Sequence, residues 1–199
     1  MELLSKYPTG DEFLVTYNPD MQIEYTKPQN LERCYMGTAP VLGVVGRAYG
    51  EDVALSWLSI QINNLSEYAG SKDKMDKEKT YLCAAHLKNE FGYMKVTEFM
   101  VFFTQMKAGK YGRFYGAVDP IMIAEAMGKF ALDRLDTIAR YEADAKRKRQ
   151  AEEDAAHQAE VDAFKAELKA RGMTLQEWIA QNCPDLESFE LIKIASNAV

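Results

Sequence analysis

The stretch Lys95–Arg134, KVTEFMVFFTQMKAGKYGRFYGAVDPIMIAEAMGKFALDR, decides the fold. Phe99, Phe102, Phe103 and Met106 recur at helical spacing and give a short helix one strongly apolar face. Thr97 reads as its N-cap. Asp119-Pro120 then sets an N-cap side chain before proline at the first helical position, where its missing N–H breaks no bond. Between the two helices, Gly109, Gly112 and Gly116 interleave with Lys107, Lys110 and Arg113 and with Tyr111, Phe114 and Tyr115. The stretch is therefore helix, shaped loop, helix, with charge and aromatics together on the loop.

Toward the N-terminus the helical pattern continues. DKEKTYLCAAHLKNEFG is capped by Asp73 or Asp76 and stopped by Gly92, with Tyr81, Ala84, Leu87 and Phe91 expected inward. EDVALSWLSIQINNLSEYAG keeps Leu55, Leu58, Ile62, Leu65 and Ala69 on one face, widened by Trp57 and Ile60. APVLGVVGRAYG predicts a short helix in which Gly43 and Gly46 mark close packing. Residues 1–37 lack this period and carry prolines at 8, 19 and 28. Phe13, Val15 and Tyr17 alternate, as do Met21, Ile23 and Tyr25, so residues 12–26 read as a small hairpin or as part of an extended arm.

Toward the C-terminus, Ile121, Ile123, Met127, Phe130 and Leu135 are expected inward on a helix continuing through Ile138 and Tyr141. Residues 142–160 then contain no apolar side chain larger than alanine. Alanine and i,i+4 charge pairs such as Glu142–Lys146 predict a solvated helical rod about 28 Å long. Val161, Phe164 and Leu168 restore a face up to Gly172. Thr174 and Glu177 form a capping box opening LQEWIAQN, and LESFELIKIAS makes a last short helix docked through Trp178, Phe189, Leu191 and Ile194. The expected architecture is all-α: an extended arm (1–37), a helical core domain (38–141), a charged long helix (142–171) and a C-terminal helical hairpin (172–199).

The 199 residues are 47% hydrophobic, enough for a real core, and carry a net charge of −6. That balance opposes polyanion binding by the molecule as a whole. Cys34, Cys83 and Cys183 are odd in number and far apart, which fits a reducing compartment better than a disulfide framework. No apolar run approaches the roughly 18 residues of a membrane span, and the N-terminus lacks a signal-peptide pattern. A cytoplasmic location without membrane contact is expected.

No catalytic constellation stands out, and neither a metal nor another cofactor is expected. Lys110 follows Gly109, but Thr104 stands where a phosphate loop needs its first glycine, and no Ser or Thr follows the lysine. Cys83 and His86 have half-site zinc spacing without a second pair nearby, and read as a packed cysteine and a half-exposed histidine. His157 and Glu152-Glu153 lie in the rod and read as a solvated face.

The runs TAPVLGVVGRAYGEDVALSWL, KNEFGYMKVTEFMVFF and KAGKYGRFYGAVDPIMIAEAMGKFALDR resemble a family of small uncharacterised proteins in Bacteroidetes, met in phages and other mobile elements. The resemblance covers about residues 38–141 and is most specific over Lys107–Pro120. It implies no catalytic residue. The arrangement is also similar, at fold level, to phage replication organisers and helicase loaders, in which a helix ends near an arginine, here Arg134.

Lys107, Lys110, Tyr111, Arg113, Phe114 and Tyr115 thus form the expected binding segment. One reading has the aromatics stack on unpaired bases while the cations meet the backbone of single-stranded DNA. A second makes them anchors for a protein partner, such as a replicative helicase. A third has the aromatics pin the loop to the core with the cations in water. The net charge and near-balance of local charge favour a protein partner over strong DNA binding; the resemblance then implies a non-enzymatic adaptor of mobile-element DNA replication. The alternative is an assembly or regulatory interaction protein that oligomerises through the long helix.

Overall fold

A computed structural model describes residues 2–70, 75–112 and 118–182 of the chain. They are helical throughout apart from turns and one isolated bridge between Val41 and Lys95. The all-α class follows from local signals, but the N-terminal region departs from its expected form.

Residues expected as an arm or hairpin are four short helices, α1 (Glu2–Lys6), α2 (Gly10–Thr16), α3 (Gln22–Tyr25) and α4 (Pro28–Met36), with a 3-10 turn at Pro19–Met21. Thr9 caps α2 and Glu12 answers it, a reciprocal capping box. Phe13 and Tyr17 are buried while Val15 between them is 71% exposed. Positions i and i+4 share a face under both the strand and the helix period, so the alternation is that of a helical pair. The region is packed onto the core: Trp57 donates its indole N–H to the Tyr17 carbonyl at 2.7 Å, and the Gln61 amide donates to the same oxygen at 3.1 Å.

Next come α5 (Leu42–Tyr49), α6 (Glu51–Tyr68), α7 (Lys77–Phe91) and α8 (Val96–Lys107). Gly50 joins α5 to α6 at φ +99°, a conformation that disfavours a side chain. Gly43 donates its N–H to the Gly92 carbonyl at 2.8 Å, and a Cβ there would lie 3.1 Å from that oxygen. Close packing at Gly43 thus locks the start of α5 to the turn before α8.

The sequence assigns α8 one apolar face. The structure buries every residue from Val96 to Phe103, because α3, α4 and α6 pack around it and Phe102 meets Phe130 of α9 (Pro120–Ala170) at 5.6 Å. A helix covered on all sides is the hub of its domain. Lys95, not Thr97, is its N-cap residue; Thr97 lies inside the helix and donates its hydroxyl to the Cys34 carbonyl at 2.8 Å. On α7 the buried stripe is Thr80, Cys83, Ala84 and Leu87, so Tyr81 faces outward. On α9, Ile123, Met127 and Phe130 are buried as expected, but Ile121 and Leu135 are exposed. A helix flanked on one side covers only the arc its neighbours touch.

The chain divides into two compact units, Met1–Tyr141 and Glu142–Val199, and α9 runs through the boundary. Residues 142–160 are exposed at every position. In the second unit, Phe164 of α9 meets Trp178 of α10 (Leu175–Asn182) edge to face at 5.1 Å, and Leu168 and Ile179 are buried. Gly172 ends α9 at φ +63°, with Met173 N–H bonded to the Leu168 carbonyl and Gly172 N–H to that of Lys169. Thr174 and Glu177 form the expected capping box. The last helix read from LESFELIKIAS lies outside the described residues, as do Phe189, Leu191 and Ile194.

Candidate functional site

The segment that follows α8 is tied down by its own polar groups. Lys107 donates to Gln22 at 2.7 Å and to Asn64, and its ammonium lies 5.6 Å from the Tyr68 ring centre. Partial burial lowers its pKa, against the opposing pull of Asp20. Lys107 therefore bridges the N-terminal helices to α6 and α8.

Gly109 and Gly112 turn the chain at φ +76° and +120°. Lys110 and Tyr111 then reach across to α9. Lys110 pairs with Asp133 at 2.7 Å, and the Tyr111 hydroxyl shares its one proton between Asp133 at 3.0 Å and Gln105 at 2.8 Å. The Tyr111 ring lies 6.2 Å from Phe102 and 6.4 Å, edge to face, from Phe130. Burial works against the charge on Lys110, yet its bonds to Asp133 and Tyr111 outweigh that and raise its pKa. The hydrogen bonds from Lys110 and Tyr111 lower that of Asp133.

Lys107, Lys110 and Tyr111, three of the six expected binding residues, thus have partners within the chain, while Lys110 stays about half exposed. The reading in which Tyr111 pins the loop describes its ring well, but Lys107 and Lys110 are bonded rather than merely wet. Arg113, Phe114 and Tyr115 lie outside the described residues.

Arg134 also has a structural partner. Its Nε donates to Glu98 at 2.8 Å, and the second Glu98 oxygen accepts the Lys95 N–H at 2.7 Å. The arginine stacks its cation 5.6 Å from the Tyr93 ring centre. Helix α9 does not end near Arg134 but continues to Ala170.

Beyond the loop, α9 enters a surface that the sequence reading did not single out. Pro120, Ile121 and Ala124 face Leu82 and Cys83 of α7 across an open groove of about 500 Å³. Leu82 is 59% exposed and Ile121 68%. Lys79, His86 and Glu125 edge it. Cys83, His86 and Ile121 are each read in the sequence for other reasons, and Leu82 is an apolar residue off the predicted stripe; no sequence pattern brings them together. Burial raises the Cys83 thiol to about 11, which opposes a thiolate nucleophile. Among the described residues no cluster of three His, Cys, Asp or Glu side chains is placed to hold a metal ion. No helix there is long and apolar enough to cross a membrane.

Residues 74–171 match DUF6633, a family of unknown function. The DUF6633 match includes α7, α8, the Lys110–Asp133 brace, the Glu98–Arg134 pair and both walls of the groove. It agrees with the sequence resemblance in leading to a family without an assigned activity. The helices α1 to α6 lie outside it. No curated protein and no solved structure matches the chain.

Proposed function

We propose that the chain is a non-enzymatic adaptor that binds a protein partner, and that the partner is the replicative helicase of a mobile-element replication system. The observation carrying the choice of protein over DNA is the bonding of Lys107 and Lys110 to Gln22, Asn64 and Asp133. A cation already neutralised or buried by its own protein releases few counterions on meeting a phosphate. The binding surface is the groove between α7 and α9, with Leu82 and Ile121 as apolar anchors. Arg113, Phe114 and Tyr115, which precede α9 in the sequence, are the further anchors that the sequence reading offers. Apolar, aromatic and arginine side chains are the usual anchors of protein interfaces. The mobile-element setting and the helicase rest on the sequence resemblance.

The test is a binding titration of the purified chain against its host's replicative helicase, alongside a single-stranded oligonucleotide. Leu82→Asp and Ile121→Asp should abolish helicase binding while leaving the melting temperature within a few degrees, since both side chains are exposed. Arg113→Ala with Tyr115→Ala should weaken it. Tight, salt-steep oligonucleotide binding lost in Lys110→Ala would reverse the choice of ligand; helicase binding indifferent to all four changes would remove the proposed surface.

A second reading, assembly through the long helix, is favoured by one observation. Residues 142–160 are helical and exposed at every position, a surface wholly open to another chain. Light scattering over a range of concentrations separates it from the first: a monomer at micromolar concentration excludes it.

A further inference from the structure

The N-terminal helices, with Thr97 of α8, line a cavity of about 330 Å³; apart from Thr97 its lining lies outside the family match. Tyr7, Tyr17, Tyr25 and Cys34 line it, with Lys6 and Arg33 beside them. Tyr7 and Tyr17 are both more than nine-tenths buried, and their hydroxyls are 3.1 Å apart. Two phenols hold two donor protons, and only one can serve the bond between them. Neither hydroxyl has another hydrogen-bond partner among the described residues. One buried O–H is therefore left to donate.

The cations beside it are differently placed from those of the loop. Arg33 makes no ion pair or side-chain hydrogen bond among the described residues, and Lys6 only lies 5.5 Å from the Tyr7 ring centre. The carboxylate lining the cavity, Glu24, is already held by Lys27 at 2.5 Å. The Cys34 thiol donates to the Tyr25 carbonyl at 2.9 Å and is not a competing acceptor. Tyr17 and Tyr25 stack nearly parallel, 17° apart at 5.7 Å, and give the cavity a flat apolar wall.

We infer that this cavity binds a small organic anion with a planar body, its carboxylate or phosphate held by Arg33 and the Tyr7–Tyr17 hydroxyl pair. A guanidinium offers a bidentate fork to either oxyanion. The volume lies at the small end of ligand pockets and admits a single ring with its charged group rather than a nucleotide. Such a ligand would bridge α1, α2 and α4 and stabilise the N-terminal region by mass action.

The probes are benzoate and phenyl phosphate, with benzamide and benzyl alcohol as uncharged counterparts, titrated into the full chain at low salt and followed by NMR. At least one anion should saturate, and its identity distinguishes a carboxylate from a phosphate ligand. Benzamide and benzyl alcohol should not bind in the same range. Arg33→Ala, a change at an exposed position of α4, should weaken the anion about tenfold or more, as loss of a hydrogen bond to a charged group does. Arg33→Lys should recover part of this, and Tyr17→Phe should weaken binding while the Tyr17 carbonyl keeps its bonds to Trp57 and Gln61. Lys79→Ala, at the groove, should change nothing. The inference fails if neither anion saturates, if the uncharged probes bind equally well, or if Arg33→Ala binds like the parent chain.

Discussion

Glu98 and Arg134 offer the sharpest test of how the core is held. The carboxylate is 0% exposed, and its two oxygens are satisfied by Arg134 Nε at 2.8 Å and Lys95 N–H at 2.7 Å. The arginine side chain is itself only 16% exposed. Arg134→Met preserves much of the packing volume but leaves one oxygen of a buried anion without its cation. Breaking a buried pair from one side costs about 3–5 kcal/mol, because the stranded charge stays desolvated. At roughly 2–4 °C per kcal/mol for a chain of this size, the melting temperature should fall by about 6–20 °C. Glu98→Gln should cost less, since the amide oxygen still accepts from Lys95 and the arginine left behind lies nearer water. The double variant Glu98→Gln with Arg134→Met should recover part of the loss, leaving a coupling of roughly 1–3 kcal/mol in a double-mutant cycle. Urea denaturation followed by tryptophan fluorescence reads all four proteins, as Trp57 is buried 6.0 Å from Phe99 of α8. An Arg134→Met loss below about 1 kcal/mol would refute the reasoning, for it would mean that water reaches the pair.

Phe102→Ala should cost roughly 3–5 kcal/mol in the same assay, as it empties the site where α8 meets Phe103, Tyr111 and Phe130. Lys110→Ala should cost less than about 1 kcal/mol, since its pair with Asp133 is about half exposed on both sides; a larger loss would mean the loop braces more than itself. Burial raises the Cys34 and Cys83 thiols from 9.0 to about 11 each, so their contribution is intact below pH 9. Above pH 9 the unfolded chain loses these protons first, so stability should fall by roughly 2–3 kcal/mol per thiol by pH 11; a flat urea midpoint across that range would contradict their burial. Amides of residues 142–160 should exchange far faster than those of α6, because no tertiary contact covers them; equal protection would show a second chain on the rod.

Several helix ends of this protein are legible because their determinants lie within one turn. Asp76 caps α7, Asp119-Pro120 opens α9, Gly172 closes it, and Thr174 with Glu177 starts α10, each through groups a few residues apart. The Thr9–Glu12 box is equally local, but the alternation of Phe13, Val15 and Tyr17 beside it suggests strand and hides it. Folding alone sets how much of each helix is covered and which group each charge meets. Helix α8 is buried all round because α3, α4, α6 and α9 converge on it, a matter no window of sequence contains. Lys107 reads as a cation for a partner until its acceptor, Gln22, proves to lie 85 residues away in the chain. Capping and periodicity act over one helical turn and can be read along the sequence; burial and ion pairing depend on segments that only folding brings together.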